Sequence, residues 1–302
     1  MAQQDEETPQ PGSGLRIAPV RQDLTIDPGE TKTISLFVEN LAARSVSFSP
    51  FANDFMASDD ESGEPRLLLD EGDEAPVNSF KSLVVSMGDA ELLPNERKEV
   101  EVTLQAPEDA SPGGYYGAVR FAPSDEVDEG NVALTATIGS LFLVKVTGDI
   151  HEELSVESFD AAKEGETGTL FTSGPIDAIT RFNNTGNIHL QPFGKISLQN
   201  WRGDTIESVE VNDSEPRDNV LPTSIRKFEN SFEHDTWIGR YTIEGNFGYG
   251  DGGEPINVSK TFYVIPFHVI GIVFAVILFL IFGLPRLIRL YNRRVIEKAK
   301  NK

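Results

Sequence analysis

Apolar and polar residues alternate with a period of two along much of the chain between Leu15 and Phe262. In Thr31 to Asn40, for example, every second residue is apolar, so one face of a strand is predicted to be buried. Comparable runs follow at Lys98 to Gln105, Tyr116 to Phe121 and Ala133 to Val146. Short runs of this kind, bounded by Pro, Gly, Asn and Asp, predict β-sandwiches.

A cassette that starts at a proline occurs three times, at Pro28, Pro94 and Pro222. In each copy a base follows four residues later and an apolar residue six residues later. This spacing predicts a turn that begins a strand, with the base in solvent and the apolar residue in the core. Two copies are followed by a Gly-x-Tyr, which ends at Tyr116 and at Tyr241. We therefore expect a hairpin whose second strand begins with a buried tyrosine.

A third repeated pattern links Phe37–Phe51 with Arg181–Phe193, since each has a strand that ends in Asn, a polar turn and a strand that closes on Pro. The same order of patterns predicts a duplication. The expected fold is all-β, with two tandem immunoglobulin-like β-sandwiches followed by a single C-terminal transmembrane α-helix. The predicted domains are residues 15–147 and 148–263, after a disordered leader of residues 1–14.

Val264 to Leu284 contains no Asp, Glu, Lys or Arg, and 21 helical residues span the roughly 30 Å core of a bilayer. The following residues, 285–302, carry seven bases and one acid, which predicts a cytoplasmic tail and an exterior N-terminal part. His268 is interpreted as an interfacial residue rather than a ligand. The residues expected to anchor the chain in the lipid bilayer are Pro266, Phe267, Trp237, Tyr263, Tyr291, Arg286, Arg289, Arg293 and Arg294.

The net charge of −22 becomes −22 − 6 = −28 without the tail, which excludes nucleic acid as a partner of the exterior part. The chain has no cysteine, which favours a bacterial surface, particularly a Gram-positive one, over a disulfide-bonded eukaryotic one. The polar start of the chain shows no signal peptide, so we expect that an export signal was removed near Ala2 or Gln3. Localisation in the cell membrane as a single-pass protein follows.

Catalytic chemistry is not predicted, because the four histidines are isolated in sequence and neither HExxH nor G-x-S-x-G occurs. No cofactor is expected. Weak calcium candidates are Asp54, Asp59, Asp60 and Glu61 in one acidic loop, and Tyr249 to Glu254 in another. The alternative is that both loops are simply solvated, the second as a Gly-rich hairpin.

The two tryptophans, Trp201 and Trp237, are each either a platform for sugar rings or part of the core. Either interpretation is compatible with a β-sandwich.

The order of the motifs resembles the WxL-interacting proteins of Gram-positive bacteria. The residues that carry the resemblance are Ile26 to Asn40, Leu92 to Phe121, Ile179 to Ile196, and IGRYTIEGNFGYG with KTFYVIP before the helix. The resemblance implies a cell-surface protein that binds peptidoglycan or another wall polymer, and secreted WxL-type, other surface or host proteins, as in adhesion.

Two other functions stay open. The first is a structural or assembly subunit of a membrane complex that acts through the transmembrane helix and the basic tail. The second is an enzyme acting on envelope polymer, which needs a cleft lined with acids of perturbed pKa.

Overall fold

The computed structural model describes residues 14–70, 72–123, 137–234, 237–250 and 255–300. Eleven strands of the N-terminal half, defined here as residues 15–146, belong to two sheets with the orders β1-β3-β9-β7 and β2-β11-β10-β4-β5. Strands β6 and β8 add to the second sheet through β10 and β4. The strands are β1 (Leu15–Ala18), β2 (Arg21–Ile26), β3 (Thr31–Asn40), β4 (Val46–Ala57), β5 (Pro65–Leu67), β6 (Asn78–Ser79), β7 (Val84–Met87), β8 (Ala90–Leu92), β9 (Arg97–Gln105), β10 (Gly113–Pro123) and β11 (Ile138–Val146), with a 3-10 turn at Phe80–Leu83.

The C-terminal half, defined as residues 154–264, forms two further sheets with the orders β13-β12-β15-β18 and β14-β20-β19-β16-β17. Each half buries its own apolar cluster, built around Phe121 and Phe142 in one and Phe182 and Phe262 in the other. The strands are β12 (Leu154–Lys163), β13 (Glu166–Gly168), β14 (Leu170–Phe171), β15 (Ile176–Asn184), β16 (Phe193–Gln199), β17 (Thr205–Val211), β18 (Ser224–Phe232), β19 (Gly239–Gly248) and β20 (Ile256–Val264).

The proline cassettes begin strands as the sequence predicts. Strands β3, β9 and β18 start two or three residues after their prolines. The apolar residues Ile34, Val100 and Phe228 are buried, whereas the bases keep contact with solvent. The predicted strand Ala133–Val146 is observed from Ile138, and residues 133–136 lie outside the described residues.

The expected hairpin is wrong, because β9 and β10 lie in different sheets, as do β18 and β19. The tyrosine that corresponds to Tyr241 is Tyr115 rather than Tyr116, so the expected match is also wrong by one residue. Tyr115 and Tyr241 each follow a glycine of positive φ by two residues. Each donates its hydroxyl to a backbone carbonyl shortly before it, at 3.1 Å to Ser111 and 3.2 Å to Ile238. A shift of one residue changes the face of a strand, so Tyr116 points away from the N-terminal core.

The two asparagines that end β3 and β15 make the same buried contacts. The Asn40 side-chain oxygen accepts a hydrogen bond from the amide of Ala42 at 2.9 Å. Its side-chain nitrogen donates to the carbonyl oxygens of Arg44 at 2.7 Å and Leu92 at 3.3 Å. Asn184 repeats this arrangement with Gly186, Ile188 and Val220, at 2.9, 2.8 and 2.8 Å. Both side chains are fully buried. Each side-chain amide therefore supplies hydrogen-bond partners to backbone atoms where its strand ends.

The C-terminal helix starts later than the sequence predicts. Helix α1 spans Phe267–Leu278, a π-helical turn spans Phe279–Gly283, and α2 spans Leu284–Lys300. Val264, the predicted first residue of the transmembrane segment, is still paired with Gly239 in the sheet. The helix begins only after Pro266, because proline suits a helix start but not its interior.

One helix of the described residues, Phe267–Asn292, is long and apolar enough to cross a membrane by length and composition. None of its most apolar window is buried against the rest of the chain. The chain is thus mostly β with one apolar C-terminal helix.

Replacing Asn184 by alanine is expected to lower the free energy of unfolding by about 3 kcal/mol, because the buried carbonyl of Ile188 loses its donor and the buried amide of Gly186 loses its acceptor. Asn183→Ala is the matched control, since its side chain makes only one contact of 3.5 Å with Glu157. Denaturant unfolding of the full chain in detergent measures both values. An equal, small loss for the two variants contradicts the prediction.

Candidate functional site

The two halves contact each other through a separate apolar cluster. Phe55, Tyr116 and Leu143 of the N-terminal half form its buried part. Leu221 of the C-terminal half packs against it, together with Leu67 and Leu141. The ring centroids of Phe55 and Tyr116 are 6.0 Å apart. This cluster holds the second sheet of the N-terminal half against the C-terminal half.

A tyrosine–histidine pair lies beside this cluster. The backbone amide of His189 donates to the Tyr116 hydroxyl at 2.7 Å, and the hydroxyl oxygen is 3.2 Å from Nδ1 of the same histidine. The amide of Gly114 also donates to the carbonyl of Asn187 at 2.8 Å. Backbone and side-chain hydrogen bonds thus cross between the halves at one place.

Burial perturbs the acid–base properties of both partners. Desolvation lowers the pKa of His189 to about 4, although Asp23, 3.8 Å from Nε2, works in the opposite direction. Desolvation also raises the pKa of the Tyr116 hydroxyl above its usual value. Both groups are therefore neutral at pH 7, and a neutral imidazole can accept a hydrogen bond from the hydroxyl group at Nδ1.

The acidic loop after β4 forms a second contact between the halves. Arg181 Nε donates to the Glu61 carboxylate at 2.6 Å, and both side chains are largely covered. The amide of Lys227 donates to the Glu61 carbonyl at 2.8 Å. The loop residue thus bonds through both its side chain and its backbone. The same Arg181 also reaches Ser158 at 3.3 Å.

The calcium candidates of this loop are directed to different partners. Asp54 is buried and accepts from the Ser79 hydroxyl at 2.7 Å and the Lys81 amide at 3.1 Å. Asp59 lies 3.9 Å from Arg66. Hydrogen bonds from Ser62 lower the pKa of Asp60 to about 2.

With Glu61 bonded to Arg181, the structure does not bring these four carboxylates together. Within the described ranges, no group of three His, Asp or Glu side chains has metal-binding geometry. In the second candidate loop, residues 251–254 lie outside the described residues. Calcium binding stays a prediction of the sequence.

A cleft with a cavity volume of about 530 Å³ opens next to the tyrosine–histidine pair. Its walls include Asp23 and Lys145 from the N-terminal half and His189, Phe193 and Arg217 from the C-terminal half. The Arg217 guanidinium lies 5.0 Å from the centroid of the Phe193 ring, which is partly exposed. Charges of both signs therefore lie beside an accessible aromatic ring in this cleft.

The predicted anchor residues divide into two environments. Trp237 is only 8% exposed and packs 5.2 Å from Tyr241 in the C-terminal core. Of the two interpretations of this tryptophan, the structure supports the core. Pro266 and Phe267, together with His268, line a cavity of about 730 Å³ where the helix leaves the β-strands.

Four of the remaining anchor residues are exposed, namely Tyr263, Arg286, Arg289 and Tyr291. Tyr263 is 47% exposed at the end of β20, and Tyr291 is 69% exposed on α2. Arg286 and Arg289 lie on α2, and the helix also includes Arg293 and Arg294, whose side chains are outside the described part.

No protein-family model matches the sequence, and no curated protein matches it. Solved structures similar to the chain include several fimbrial chaperones. A structure of a chaperone–tip adhesin complex of CFA/I fimbriae biogenesis is 11% identical, covers 82% of this chain and 98% of its own, and has a TM-score of 0.40. The class 5 fimbrial chaperone CfaA is 12% identical, covers 82% of this chain and 99% of its own, and has a TM-score of 0.39. The E. coli chaperone DraB is 11% identical, covers 83% of this chain and 97% of its own, and has a TM-score of 0.36. Likeness at this level concerns the β-sandwich architecture alone.

The expected membership of the WxL-interacting family is wrong, since the similar structures named above are chaperones, two of them fimbrial by name, and no family model matches. With it, the expected peptidoglycan binding, wall attachment and adhesion are withdrawn. The physical reason lies in the motifs themselves. Their residues start strands, close turns or fill the core, as Ile34, Tyr115 and Asn184 show. Such positions are needed in any sandwich of this kind and specify no ligand.

Sequence reasoning missed the contact between the halves, because it treated His189 as isolated. One signal was present. Tyr115 and Tyr116 are adjacent aromatic residues in one strand and therefore lie on opposite faces. A strand with large apolar groups on both faces is covered on both sides. The partner on the second side is not encoded nearby, since His189 follows Tyr116 by 73 residues.

His189 makes stability depend on pH. Its folded pKa of about 4 is below the unfolded value of about 6.5, so the unfolded chain binds the proton first. The contribution of neutral His189 to the free energy of unfolding is complete above about pH 6.5. It is lost as the pH falls towards 4, by at most about 3 kcal/mol. We expect His189→Gln to remove this part of the pH dependence.

Unfolding by denaturant at several pH values between 4 and 7 gives the difference between wild type and variant. His151→Gln is the control, because that side chain is 66% exposed. If the two variants show the same pH dependence, the assignment to His189 is refuted.

Proposed function

We propose that this protein is a non-enzymatic assembly subunit of a membrane complex. It acts through its C-terminal helix and basic tail, while the β-sandwich part lies on the outer side of the membrane and faces protein partners. The observation that carries this proposal is that the helix continues through the basic tail to Lys300. A tail that only fixes orientation needs positive charge but no defined structure.

The helix is longer than a bilayer requires. From Phe267 to Lys300 it has 300 − 267 + 1 = 34 residues. At about 1.5 Å per residue it extends about 51 Å, against a hydrocarbon core of about 30 Å. A basic helical segment of about 20 Å therefore extends beyond the inner boundary.

This extension is amphipathic. Leu284, Leu287, Ile288 and Tyr291 follow the spacing i, i+3, i+4 and i+7 and form one stripe, whereas Arg286 and Arg289 lie on another face. All four apolar side chains are exposed in the single chain. An apolar stripe at and beyond the membrane edge is stabilised by a second helix that covers it. A partner helix in the same membrane complex provides that cover.

The exterior part is proposed to comprise two immunoglobulin-like domains, residues 15–147 and 148–263. Support comes from the two separate cores and from sheets that share no strand between the halves. The duplicated asparagine networks at Asn40 and Asn184 support a common origin of the two units.

Protein partners are favoured for the exterior part. The contact through Tyr116 and Glu61 fixes the cleft between the halves, so little order has to be created on binding. The similar solved structures include a chaperone with an adhesin and a chaperone with a pilin. For this chain, a surface protein is accordingly the partner class that we propose.

Ile288→Ser is expected to reduce the amount of large complex several-fold on native gels of detergent-solubilised membranes, because it interrupts the apolar stripe of α2. Leu290→Ser is the matched control. Leu290 is exposed to a similar extent, 56% against 51%, but its position in the helix is about 200° from Ile288. Both variants are expected to integrate into the membrane normally.

The two variants distinguish assembly from anchoring. Equal migration of wild type and Ile288→Ser as one large complex contradicts a role of the stripe in assembly. Migration of the wild type as a single chain contradicts the assembly function altogether.

A further inference from the structure

Exposed apolar side chains are concentrated at one end of the C-terminal half. Among the described residues from 150 to 266, seven large hydrophobic side chains are exposed. Five of them lie at the end from which the helix emerges. We call these five residues the apolar rim: Leu170, Trp201, Ile238, Tyr263 and Ile265, with exposures of 64, 61, 48, 47 and 38%.

Strand register brings the rim together. Leu170 pairs with Tyr263 in the parallel β14–β20 ladder, and Ile238 directly precedes Gly239, which pairs with Val264. Trp201 lies in the hairpin between β16 and β17, whose strand end Gln199 pairs with Thr242. Four separate segments of the chain therefore place a large apolar group at the same edge.

The rim has a fixed position relative to the helix. The amide of Ile265 donates to the carbonyl of Phe171 at 2.8 Å, so sheet pairing continues to the residue before Pro266. The amide of Val269 already donates to the Pro266 carbonyl at 2.9 Å in the first helical turn. No free linker separates the rim from the helix, and a bilayer around the helix meets the rim.

Two arginines accompany the exposed tryptophan. The guanidinium of Arg202 lies 4.7 Å from the centroid of the Trp201 ring, and Arg240 donates to the Trp201 carbonyl at 3.3 Å. Both bases lie on a part of the chain that is strongly acidic as a whole. Guanidinium groups beside an interfacial tryptophan suit the phosphate groups of lipids, which accept hydrogen bonds from such donors.

We propose that the apolar rim is a membrane-docking surface: Leu170, Trp201, Ile238 and Tyr263 enter the headgroup region of the outer leaflet, and Arg202 and Arg240 bind lipid phosphates. This inference rests on the proposed membrane-spanning helix. Docking holds the C-terminal half in one orientation against the bilayer. The cleft between the halves then has a fixed height and direction above the membrane.

Fluorescence quenching by brominated lipids tests the docking. The full chain is reconstituted into vesicles of phosphatidylcholine and phosphatidylglycerol with bromine on the upper part of the acyl chains. Since Trp201 and Trp237 are the two tryptophans and Trp237 is buried, we expect brominated lipid to remove about half of the wild-type emission. In Trp201→Phe, the quenched fraction is expected to fall several-fold.

A relocated tryptophan provides the control. Phe193, at the opposite end of β16, pairs with Gly248, and its side chain is 39% exposed. The double variant Trp201→Phe/Phe193→Trp therefore carries an accessible tryptophan far from the helix. Its added emission is expected to be insensitive to brominated lipid and sensitive to aqueous iodide.

The outcomes separate the two proposals. Resistance of the vesicle-bound chain to carbonate extraction reports the membrane-spanning helix. Carbonate resistance without quenching of Trp201 overturns the docking surface and leaves the helix in place. Extraction of the chain by carbonate overturns the spanning helix and the docking surface together.

Discussion

The pairing of β20 with β19 and β14 is the constraint on which the position of every other part depends. It continues through Val264 and, by the bond of Ile265 to Phe171, reaches the residue before Pro266. The C-terminal half and the helix are thereby joined without a free linker. Because β20 is followed directly by the apolar helix, one end of the β-sandwich lies next to the surroundings of that helix. The apolar rim at this end follows from the same register.

A second constraint transmits this position to the N-terminal half. The Tyr116 hydroxyl is hydrogen-bonded to the backbone amide of His189 in a buried site. Glu61 accepts hydrogen bonds from the Arg181 side chain and from the backbone amide of Lys227. Desolvation keeps the histidine neutral, which preserves an acceptor at Nδ1 for the hydroxyl. The acidic loop that holds the weak calcium candidates also supplies the Glu61 carboxylate of a contact between the halves. The cleft beside this contact is consequently formed by residues of both halves.

The motifs that resembled a particular surface-protein family show how framework residues can mislead. Each proline cassette encodes a turn and a buried apolar position, and the asparagines at the ends of β3 and β15 donate hydrogen bonds to buried backbone carbonyls. These requirements come from sandwich geometry and recur wherever such sheets pack. The functions that we propose depend on exposed groups, namely those of the cleft, the apolar rim and the amphipathic extension of the helix.

The sequence by itself determined the local elements. Alternation of apolar residues specified the strands, the prolines specified where several begin, and an uncharged run of 21 residues specified the apolar helix, because each of these signals lies within a few turns or residues of chain. Tertiary structure decided the rest. Pairing of Val264 with Gly239 shortened the predicted helix, and packing of the halves chose between Tyr115 and Tyr116 as the core residue. Partners such as Glu61 and Arg181 are 120 residues apart, and only the folded arrangement of separate sheets brings such side chains within hydrogen-bonding distance.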